Sequence, residues 1–277
     1  MVESIPAIKL NSKHELPMLG LGVYKATAPG EVEKAISTAV KAGYHTIDTA
    51  SVYKNEDGVG RAIKSCGLDR KDLFVITKIW NNAQRMGDVI GSFQRSMERL
   101  QVDYIDLYLI HWPVPGCYIQ TWKELIKLNI SGKIKSIGVS NFDIIHLNEI
   151  MQFSDILPAV NQIECHPYCY PKDLIHYCQS HGIAVQAYAP LARGAYADDP
   201  LLTQIGSYYG KTATQVGLRW LIQKGIAVIP KSTDPEHIYS NANIFDFTLT
   251  SEEMEMIDTL DRQQKYSSIP DDMKPFY

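Results

Sequence analysis

Short runs of apolar and β-branched residues recur along the chain, and segments with helical spacing separate them. The eight runs occupy residues 19–24, 44–50, 73–80, 104–112, 134–141, 159–164, 183–190 and 226–232. In the stretch EVEKAISTAVKAG the apolar residues fall at helical intervals on one face, and Gly43 follows as an end signal. Apolar strands that alternate with helices indicate parallel pairing with both faces of the sheet covered. Eight such units predict a (β/α)8 barrel, the TIM-barrel fold, because a doubly wound sheet normally has about five or six strands.

The two ends of the chain fall outside this repeat. Residues 5–19, IPAIKLNSKHELPML, contain two apolar runs about a polar turn, and they predict a β-hairpin that closes the barrel floor. Residues 251–263, SEEMEMIDTLDRQ, predict an extra helix capped by Ser251. The tail, 265–277, has no regular pattern, and we expect 273–277 to cover the mouth of the barrel.

Composition narrows the class of protein. The 277 residues carry a formal net charge of −4, which gives no general attraction for nucleic acid. No apolar run approaches the ~18 residues of a membrane span, and the start MVESIPAIKL lacks the basic and apolar regions of a signal peptide. The five cysteines are an odd number and sparse for this length, which favours reduced thiols. We therefore expect a cytoplasmic monomer whose partner is a small molecule, neither nucleic acid nor membrane.

Polar residues collect at one end of the predicted barrel. In barrels of this class the C-terminal ends of the strands, with the loops that follow, form the active site. Applied to the predicted strands, this rule selects Asp48, Tyr53, Lys78, His111, Ser140, Asn141, Gln162, Tyr188, Lys231 and Ser232.

Four of these residues suit proton donation to a carbonyl oxygen. The Lys78 ammonium would lower the pKa of the Tyr53 phenol by favouring phenolate, and Asp48 would be the counter-ion of that ammonium. His111 would donate a hydrogen bond to the carbonyl oxygen. Taken singly, these residues have structural alternatives: a capping or surface aspartate, a structural ion pair, or a hydrogen-bonded core histidine. Their joint occurrence at successive strand ends favours carbonyl reduction.

Sequence blocks over nearly the whole chain resemble the aldo-keto reductases. The blocks are GYHTIDTASVYKNEDGVGRAI, DLFVITKIWN, LQVDYIDLYLIHWP, IKSIGVSNF, AVNQIECHP, YAPLARG, GKTATQVGLRW, IPKS and NIFDFTLT, in that order. The chain is most similar to short microbial members such as 2,5-diketo-D-gluconate reductases and protozoal prostaglandin F synthases. The resemblance implies a single barrel domain over residues 1–277 that reduces aldehydes, ketones or dicarbonyls with NADPH. It also implies the catalytic tetrad Asp48, Tyr53, Lys78 and His111, in which Tyr53 is the general acid that protonates the oxygen while hydride reaches the carbon.

A nicotinamide cofactor would bind without the usual glycine-rich turn. No G-x-G-x-x-G motif follows a strand, and the GVG of residues 58–60 falls within a predicted helix. In IPKSTDPEH the last strand ends at Lys231 and Ser232, and Thr233 or Asp234 can cap the next helix. These residues form either an ordinary helix start or an anion site made of free helix N–H groups, a hydroxyl and an ammonium.

The family resemblance favours the anion site and implies a set of cofactor contacts. The implied contacts are Ser140, Asn141 and Gln162 to the carboxamide, Tyr188 on the nicotinamide ring, Pro190 and Leu191 beside the pyrophosphate, and Lys231, Ser232 and Thr233 to the 2′-phosphate.

Two positions depart from the family pattern at the adenosine end. His237 stands where an arginine commonly binds the 2′-phosphate, and Ser240 stands where a glutamate usually meets adenine before Asn241. A neutral imidazole offers one donor and no full charge at pH 7, so it binds phosphate less well than a guanidinium. We therefore expect a preference for NADPH that is soft enough for NADH to be tolerated.

Three large aromatic residues are expected to surround the substrate. Tyr24 follows the first strand, and Trp80 and Trp112 follow Lys78 and His111. Such rings exclude water and give flat apolar contact, although core packing is an alternative role. This wall predicts a small or medium aldehyde or dicarbonyl as substrate.

Three other interpretations fit the sequence less well. The stretch ECHPYCYPKDLIHYC groups three cysteines and two histidines as zinc ligands would be, but its spacing and its prolines fit no zinc motif, so we expect no metal. A metal-dependent barrel hydrolase would need an H-x-H near the first strand, which the sequence lacks. A redox-sensing binding module remains open, and the intact tetrad argues against it.

Overall fold

A computed structural model describes residues 5–276, in which eight parallel strands form a nearly closed barrel preceded by an antiparallel hairpin. The strands are β1 (Ala7–Lys9), β2 (Glu15–Pro17), β3 (Gly20–Gly22), β4 (Thr46–Asp48), β5 (Phe74–Ile79), β6 (Ile105–Ile110), β7 (Ile134–Ser140), β8 (Val160–Glu164), β9 (Ala184–Tyr188) and β10 (Ala227–Val228). The barrel contains β3 to β10 in chain order. The predicted (β/α)8 fold with an N-terminal hairpin is therefore confirmed.

Helices connect the barrel strands. They are α1 (Glu31–Lys41), α2 (Glu56–Ser65), α3 (Asn81–Arg85), α4 (Val89–Leu100), α5 (Tyr118–Ile130), α6 (Ile144–Phe153), α7 (Lys172–Ser180), α8 (Pro200–Tyr209), α9 (Ala213–Gln223), α10 (Pro235–Ala242) and α11 (Ser251–Asp258). In α1 the predicted apolar face is buried, and Gly43, with φ of +89°, lies just beyond the end of the helix. Within the described residues, every helix is too short or too polar to cross a membrane.

The barrel closes between its first and last strands. The Gly22 N–H donates to the Pro230 carbonyl at 3.1 Å, and a Cβ at position 22 would lie 3.0 Å from the Ile229 carbonyl oxygen. The last strand was predicted over 226–232 and is only two residues long. Pro230 contributes to this, because it has no N–H with which to extend the ladder.

The hairpin covers the barrel floor, as predicted. Its buried Leu10 and Leu16 pack against side chains from the lower part of the barrel interior. The Asn11 side-chain amide donates to the Pro158 carbonyl at 2.9 Å and fixes the turn of the hairpin. Because the floor is filled with apolar side chains, access for a ligand is left to the opposite rim.

The extra C-terminal helix is present, but its cap was predicted wrongly. The capping residue is Thr250 rather than Ser251: the Thr250 hydroxyl accepts from the Glu253 N–H at 3.2 Å. The Glu253 carboxylate in turn accepts from the Thr250 N–H at 2.8 Å, so the two residues form a capping box. Only Thr250 has a glutamate three residues later, which is the spacing that this motif requires.

The GVG of residues 58–60 lies inside α2, which confirms that it is not a phosphate-binding turn. A Cβ at Gly60 would lie 2.5 Å from the Arg99 carbonyl oxygen, at the end of α4. At Gly58 a Cβ would meet only Val32, Arg61 and Glu33 side chains, all at 3.4 Å or more. Gly60 is therefore required for close helix packing, and Gly58 is not.

We expect Gly60→Ala to destabilise the protein by about 1–3 kcal/mol, because the methyl group forces α2 away from α4. The matched Gly58→Ala should be neutral or stabilising by up to about 1 kcal/mol, because alanine has the better helix propensity. Urea unfolding of the two variants measures the difference. Equal stability of the two would contradict the packing described for α2.

Candidate active site

The C-terminal rim of the barrel brings the four predicted catalytic residues together. Asp48 is the last residue of β4, Lys78 is the penultimate residue of β5, and His111 directly follows β6. Tyr53 ends a short 3₁₀ helix, Ser51–Tyr53, in the loop after β4. Since β4, β5 and β6 are neighbours in the sheet, the strand-end rule places these side chains side by side.

Lys78 and Asp48 form a buried ion pair. The Lys78 Nζ donates to both carboxylate oxygens of Asp48, at 2.7 and 2.8 Å, and to the Thr49 carbonyl at 2.8 Å. Lys78 is fully buried and Asp48 is 2% exposed. Gln162 adds an amide donor to Asp48 at 2.8 Å. All three ammonium protons thus have acceptors, which is what makes a buried charge of this kind tolerable.

Burial acts against both charges of this pair. It lowers the pKa of Lys78 and raises that of Asp48, and in each case the attraction of the partner opposes the effect. The two groups therefore depend on each other for ionisation.

Tyr53 is half-buried in an aromatic setting beside the ion pair. Its ring centroid is 4.9 Å from that of Tyr24 and 5.8 Å from that of His111, and the Lys78 Nζ is 5.3 Å from it. Burial raises the pKa of Tyr53 well above its usual value, and the Asp48 charge raises it further.

The expectation of a lowered Tyr53 pKa is therefore wrong for this structure. The physical reason is that burial disfavours the charged phenolate, and the Asp48 carboxylate, held beside it by Lys78, repels that charge. Tyr53 is consequently protonated at neutral pH, which is the form that a general acid needs.

His111 is held as a neutral imidazole. Burial, and next the positive charge of Lys78, lower its pKa well below the usual value. Its ring meets the edge of Trp80 at a centroid distance of 5.0 Å. Its Nδ1 is buried without a hydrogen-bond partner among residues 5–276, which leaves Nε2 as the nitrogen that can reach a ligand. A neutral ring can donate one hydrogen bond without adding a second positive charge beside Lys78.

Three polar side chains at the ends of β7 and β9, those of Ser140, Asn141 and Tyr188, form a connected network with a backbone carbonyl of β8. The Ser140 hydroxyl donates to the Gln162 carbonyl at 2.8 Å, and the Tyr188 hydroxyl donates to the Asn141 Oδ1 at 2.7 Å. The Asn141 amide donates to the His111 carbonyl at 2.9 Å, with its backbone in the left-handed region at φ of +62°. The network ties these predicted carboxamide contacts to the strand that bears His111.

Gln162 is not the last residue of β8, which ends at Glu164 as the apolar run 159–164 predicts. The nitrogen of its side-chain amide donates to Asp48 and to the Gln186 Oε1, both at 2.8 Å. Both amide protons are thus taken, so Gln162 can contact a ligand only as an acceptor through its Oε1.

Sequence reasoning missed two residues that support the site. Gln186 was not selected, although it lies two positions before Tyr188 on the same face of β9. Asn55 is buried below the Tyr53 loop, where its amide donates to the Val23 carbonyl at 2.8 Å and accepts from the Thr49 hydroxyl at 2.8 Å. An asparagine two residues beyond a loop tyrosine carries no signal that a single sequence reveals.

The predicted anion site is only partly present. Asp234 is the cap of α10, and its carboxylate accepts from the N–H groups of Glu236 and His237 at 2.8 and 3.3 Å. These helix N–H groups were expected to be free, and that expectation is wrong, because an aspartate cap occupies them. The Ser232 hydroxyl accepts from the Asp234 N–H at 3.1 Å.

The donors that remain at this end are few. Lys231 is exposed, Thr233 is half-buried, and His237 is exposed on α10. The Glu31 carboxylate also lies here: its pKa is lowered, first by the Ala28 N–H and also by the Thr233 hydroxyl and the Lys231 charge. Lys231 therefore has an acidic neighbour in Glu31, which reduces the positive field available to a phosphate.

The remaining predicted cofactor residues flank this region. Pro190 is buried, with its carbonyl accepting from the Tyr196 hydroxyl at 2.7 Å, and Leu191 is half-buried beside it. Asn241 is 4% exposed in the last turn of α10. These three residues thus lie between the end of β9 and the last turn of α10.

Two of the three aromatic residues expected around the substrate pack against the C-terminal tail. Tyr24 is 43% exposed, Trp80 is half-buried, and Trp112 is buried in a cluster with Val114 and Met273. Met273, at the start of the segment expected to cover the mouth, is fully buried against this cluster. The final residue of that segment, 277, lies outside the described residues.

Side chains of the cysteine- and histidine-rich stretch make hydrogen bonds with other protein groups. His166 pairs with Glu164 at 3.3 Å, and the Cys178 thiol accepts from the Asn161 amide at 3.7 Å. Over residues 5–276, no three such side chains are grouped as metal ligands would be. All five cysteines, Cys66, Cys117, Cys165, Cys169 and Cys178, fall in this range and are free thiols.

Comparison with known proteins places these features in one family. Residues 18–262 match the sequence model of the Aldo/keto reductase family. The chain is 45% identical to the glyoxal reductase of Bacillus subtilis (strain 168) over 266 residues, which is 96% of each protein. It is 42% identical over 271 residues to the 9,11-endoperoxide prostaglandin H2 reductase of Trypanosoma cruzi (strain CL Brener), covering 97% of this chain and 96% of the relative.

A solved structure supports the same assignment. The aldo-keto reductase of Bombyx mori in complex with NADP superposes with a TM-score of 0.90 at 37% identity, covering 98% of this chain and 97% of the other. Fold, rim residues and full-length similarity agree, and the chain therefore belongs to the aldo/keto reductase family as an oxidoreductase of carbonyl compounds.

Proposed function

We propose that the protein reduces small aldehydes, ketones and dicarbonyls with NADPH and that Tyr53 is the general acid. The observation that carries the proposal is the buried Lys78–Asp48 pair, which lies beside a protonated phenol and a neutral imidazole at the open rim. The similarity to a glyoxal reductase supports a dicarbonyl as substrate.

Different residues of the rim carry out different parts of the reaction. When bound, the nicotinamide supplies the hydride that reduces the carbonyl carbon. His111 donates a hydrogen bond from Nε2 to the carbonyl oxygen and fixes its position. As negative charge develops on that oxygen, the Tyr53 hydroxyl transfers its proton to it, and the oxygen becomes the hydroxyl group of the alcohol product.

Lys78, kept ionised by Asp48, stabilises the phenolate that remains on Tyr53. The ammonium 5.3 Å from the Tyr53 ring stabilises the new negative charge, and the Asp48 carboxylate keeps that ammonium ionised in its buried position. The same pair leaves the resting phenol protonated. The stabilisation therefore acts mainly on the state in which charge has developed, as efficient catalysis requires.

The residues present fit a nicotinamide dinucleotide. Ser140, Asn141 and the Gln162 oxygen offer a hydroxyl, an amide and an acceptor to a carboxamide, and the half-buried Tyr188 ring lies beside them. Pro190 and Leu191 would border the pyrophosphate. Lys231, Ser232 and Thr233 would bind the 2′-phosphate, with Asn241 and His237 on the adenine side. We also propose that residues 1–277 act as one domain and as a monomer.

A substrate panel tests this function. Glyoxal, methylglyoxal, sugar ketoacids, aromatic aldehydes and a prostaglandin endoperoxide would be supplied with NADPH, and absorbance loss at the nicotinamide band would report turnover. We expect the highest kcat/KM with small dicarbonyls. Tight NADPH binding without turnover of any carbonyl would defeat the proposal and favour a binding module.

We expect His237→Arg to strengthen NADPH binding by about tenfold and to leave NADH binding unchanged, because a guanidinium adds a full charge and paired donors for the 2′-phosphate. The measurement is the Kd of each cofactor from fluorescence titration. His181→Arg, at an exposed site beyond α7, is the matched control for added charge. An equal gain for NADH, or no gain for NADPH, would show that position 237 does not face the phosphate.

A further inference from the structure

The stretch that suggested zinc contains a buried acid with no part in the chemistry above. Glu164, the last residue of β8, is 4% exposed, and His166 is fully buried. The Glu164 Oε1 accepts from the Tyr266 N–H at 2.6 Å and from the Ser267 N–H at 3.1 Å. The His166 Nε2 lies 3.3 Å from the same oxygen, and the Tyr266 ring lies over His166 at 5.7 Å.

These bonds attach the C-terminal tail to the catalytic rim. Tyr266 and Ser267 are about a hundred residues from Glu164 in sequence, with separations of 102 and 103 positions. Backbone N–H groups that donate to a buried carboxylate make charge-assisted hydrogen bonds, which are roughly twice as strong as neutral ones. Burial alone would raise the pKa of Glu164, but the donors from His166, Tyr266 and Ser267 hold it below its usual value.

The anchored segment forms part of the wall of the site. A cavity of about 100 Å³ at the rim is lined by Ser267 and Ile269 from the tail and by Trp112, Asn141 and Tyr188 from the barrel. Ile269 packs against the cluster of Trp112 and Met273. The tail therefore faces both an aromatic residue of the proposed substrate wall and two of the proposed nicotinamide contacts.

A second attachment lies further along the tail and is weaker. Asp272 accepts from the Asn81 amide at 3.0 Å and from the Arg85 guanidinium at 2.5 Å. The Arg85 and Asp272 side chains are 38% and 40% exposed, so solvent screens this pair and it contributes little. The wall segment is thus held by Glu164 at its Ser267 end, and by the buried Met273 beyond Asp272 at the other end.

We propose that Glu164 is a positioning residue that holds the tail, from Tyr266 to Ile269, against the rim and thereby sets the KM for the carbonyl substrate. The inference rests on the proposed function for its substrate but adds a residue outside the tetrad. Glu164 also lines the cavity at the rim, but it is not among the residues proposed to contact the reacting atoms. Its loss should raise KM and leave kcat nearly unchanged, because the proton donor and its neighbours stay in place.

The first test does not depend on activity. Hydrogen exchange of the backbone amides of Tyr266 and Ser267 would be compared in the full-length protein and in Glu164→Gln. We expect exchange to become at least about tenfold faster, because the charge-assisted bonds are lost. The matched control is Asp106→Asn at the opposite rim, where a carboxylate also accepts a backbone N–H, from Val75 at 2.9 Å. Unchanged exchange in Glu164→Gln would overturn the proposal.

The second test separates KM from kcat. With glyoxal and NADPH, Glu164→Gln should raise KM about tenfold and change kcat by less than about twofold, which a general loss of folded protein would not produce. Asp106→Asn should change neither. Faster exchange with an unchanged KM would also overturn the proposal, because the tail would then be attached but irrelevant to the substrate.

A second variant tests the proposal in case Glu164→Gln misfolds. If Glu164→Gln does not fold, Tyr266→Pro removes the N–H that makes the shortest bond to Glu164, together with the ring that contacts His166, and it should give the same rise in KM with kcat retained. An unaltered KM in Tyr266→Pro would count against the proposal in the same way. If the wild-type protein reduces no carbonyl, the proposed function fails, and the exchange measurement still decides whether Glu164 holds the tail.

Discussion

Replacing Tyr53 with phenylalanine is expected to lower kcat by about 10²–10⁴-fold while the affinity for NADPH stays within a few-fold of wild type. The substitution removes one hydroxyl and keeps the ring that contacts Tyr24 and His111. The measurement is NADPH oxidation with glyoxal, together with cofactor titration. Tyr104→Phe, which loses a hydroxyl at the opposite end of the barrel, is the matched control and should retain full activity.

The pH dependence of kcat provides an independent check on Tyr53. Its pKa is raised by burial, so the acid form persists to at least the ordinary tyrosine value, and the pKa of His111 is lowered, so the neutral ring persists below the ordinary histidine value. We therefore expect kcat for reduction to be flat from about pH 6.5 to pH 10. A kcat that falls with a midpoint near pH 8 would indicate a lowered phenol pKa and would contradict this assignment of charge.

A wild-type rate in Tyr53→Phe would remove the central step of the mechanism. His111 would then be the remaining group able to donate a proton to the oxygen. The flat pH profile would distinguish these cases, because a histidine acid loses activity as pH rises through its pKa.

The fold and the positions of the four rim residues could be predicted because they follow from repeated, local patterns. Eight apolar runs alternate with helical segments, and the rule that strand C-termini face one rim then places Asp48, Lys78 and His111 together. The ends of the strands were predicted less accurately, as at β10. The length over which a strand pairs depends on its neighbouring strands, which a local pattern does not identify.

Charge and hydrogen-bond partners could not be predicted in the same way. The sequence suggests that Lys78 acts on Tyr53. Only the geometry shows that both carboxylate oxygens of Asp48 accept hydrogen bonds from the Lys78 ammonium. Similarly, the sequence offers Thr233 and Asp234 as caps of α10. Because Asp234 is the cap, its carboxylate binds two helix N–H groups that a phosphate would otherwise use. The contact of Glu164 with Tyr266 joins residues 102 positions apart, which no periodicity in the chain reveals.

The second large effect is expected at Lys78, where catalysis and stability are coupled. Lys78→Met should destabilise the protein at pH 7 by about 3–5 kcal/mol, because it leaves the Asp48 carboxylate buried without its counter-ion. It should also lower kcat strongly, since the phenolate formed on Tyr53 loses its stabilising charge. Urea unfolding and glyoxal turnover measure the two effects. Lys127→Met, which breaks an exposed pair with Glu124, should change stability by less than about 1 kcal/mol.

The sign of the pH dependence follows from Asp48. In Lys78→Met the folded-state pKa of Asp48 lies above its unfolded value, because burial raises it and no ammonium opposes the effect. Folding then takes up a proton, so the penalty is fully present above the folded pKa and is relieved as the pH falls through it. We expect the variant to gain stability relative to wild type as the pH falls from 7 towards the ordinary aspartate pKa.

The double variant Asp48→Asn/Lys78→Met separates the two roles of the pair. Removing both charges eliminates the unpaired buried carboxylate, so most of the lost stability should return, while kcat stays low because no cation faces the phenolate. Recovery of both stability and kcat in the double variant would mean that the pair is only structural. A single variant that is fully stable at pH 7 would mean that Asp48 gains its stabilisation from Gln162 rather than from Lys78.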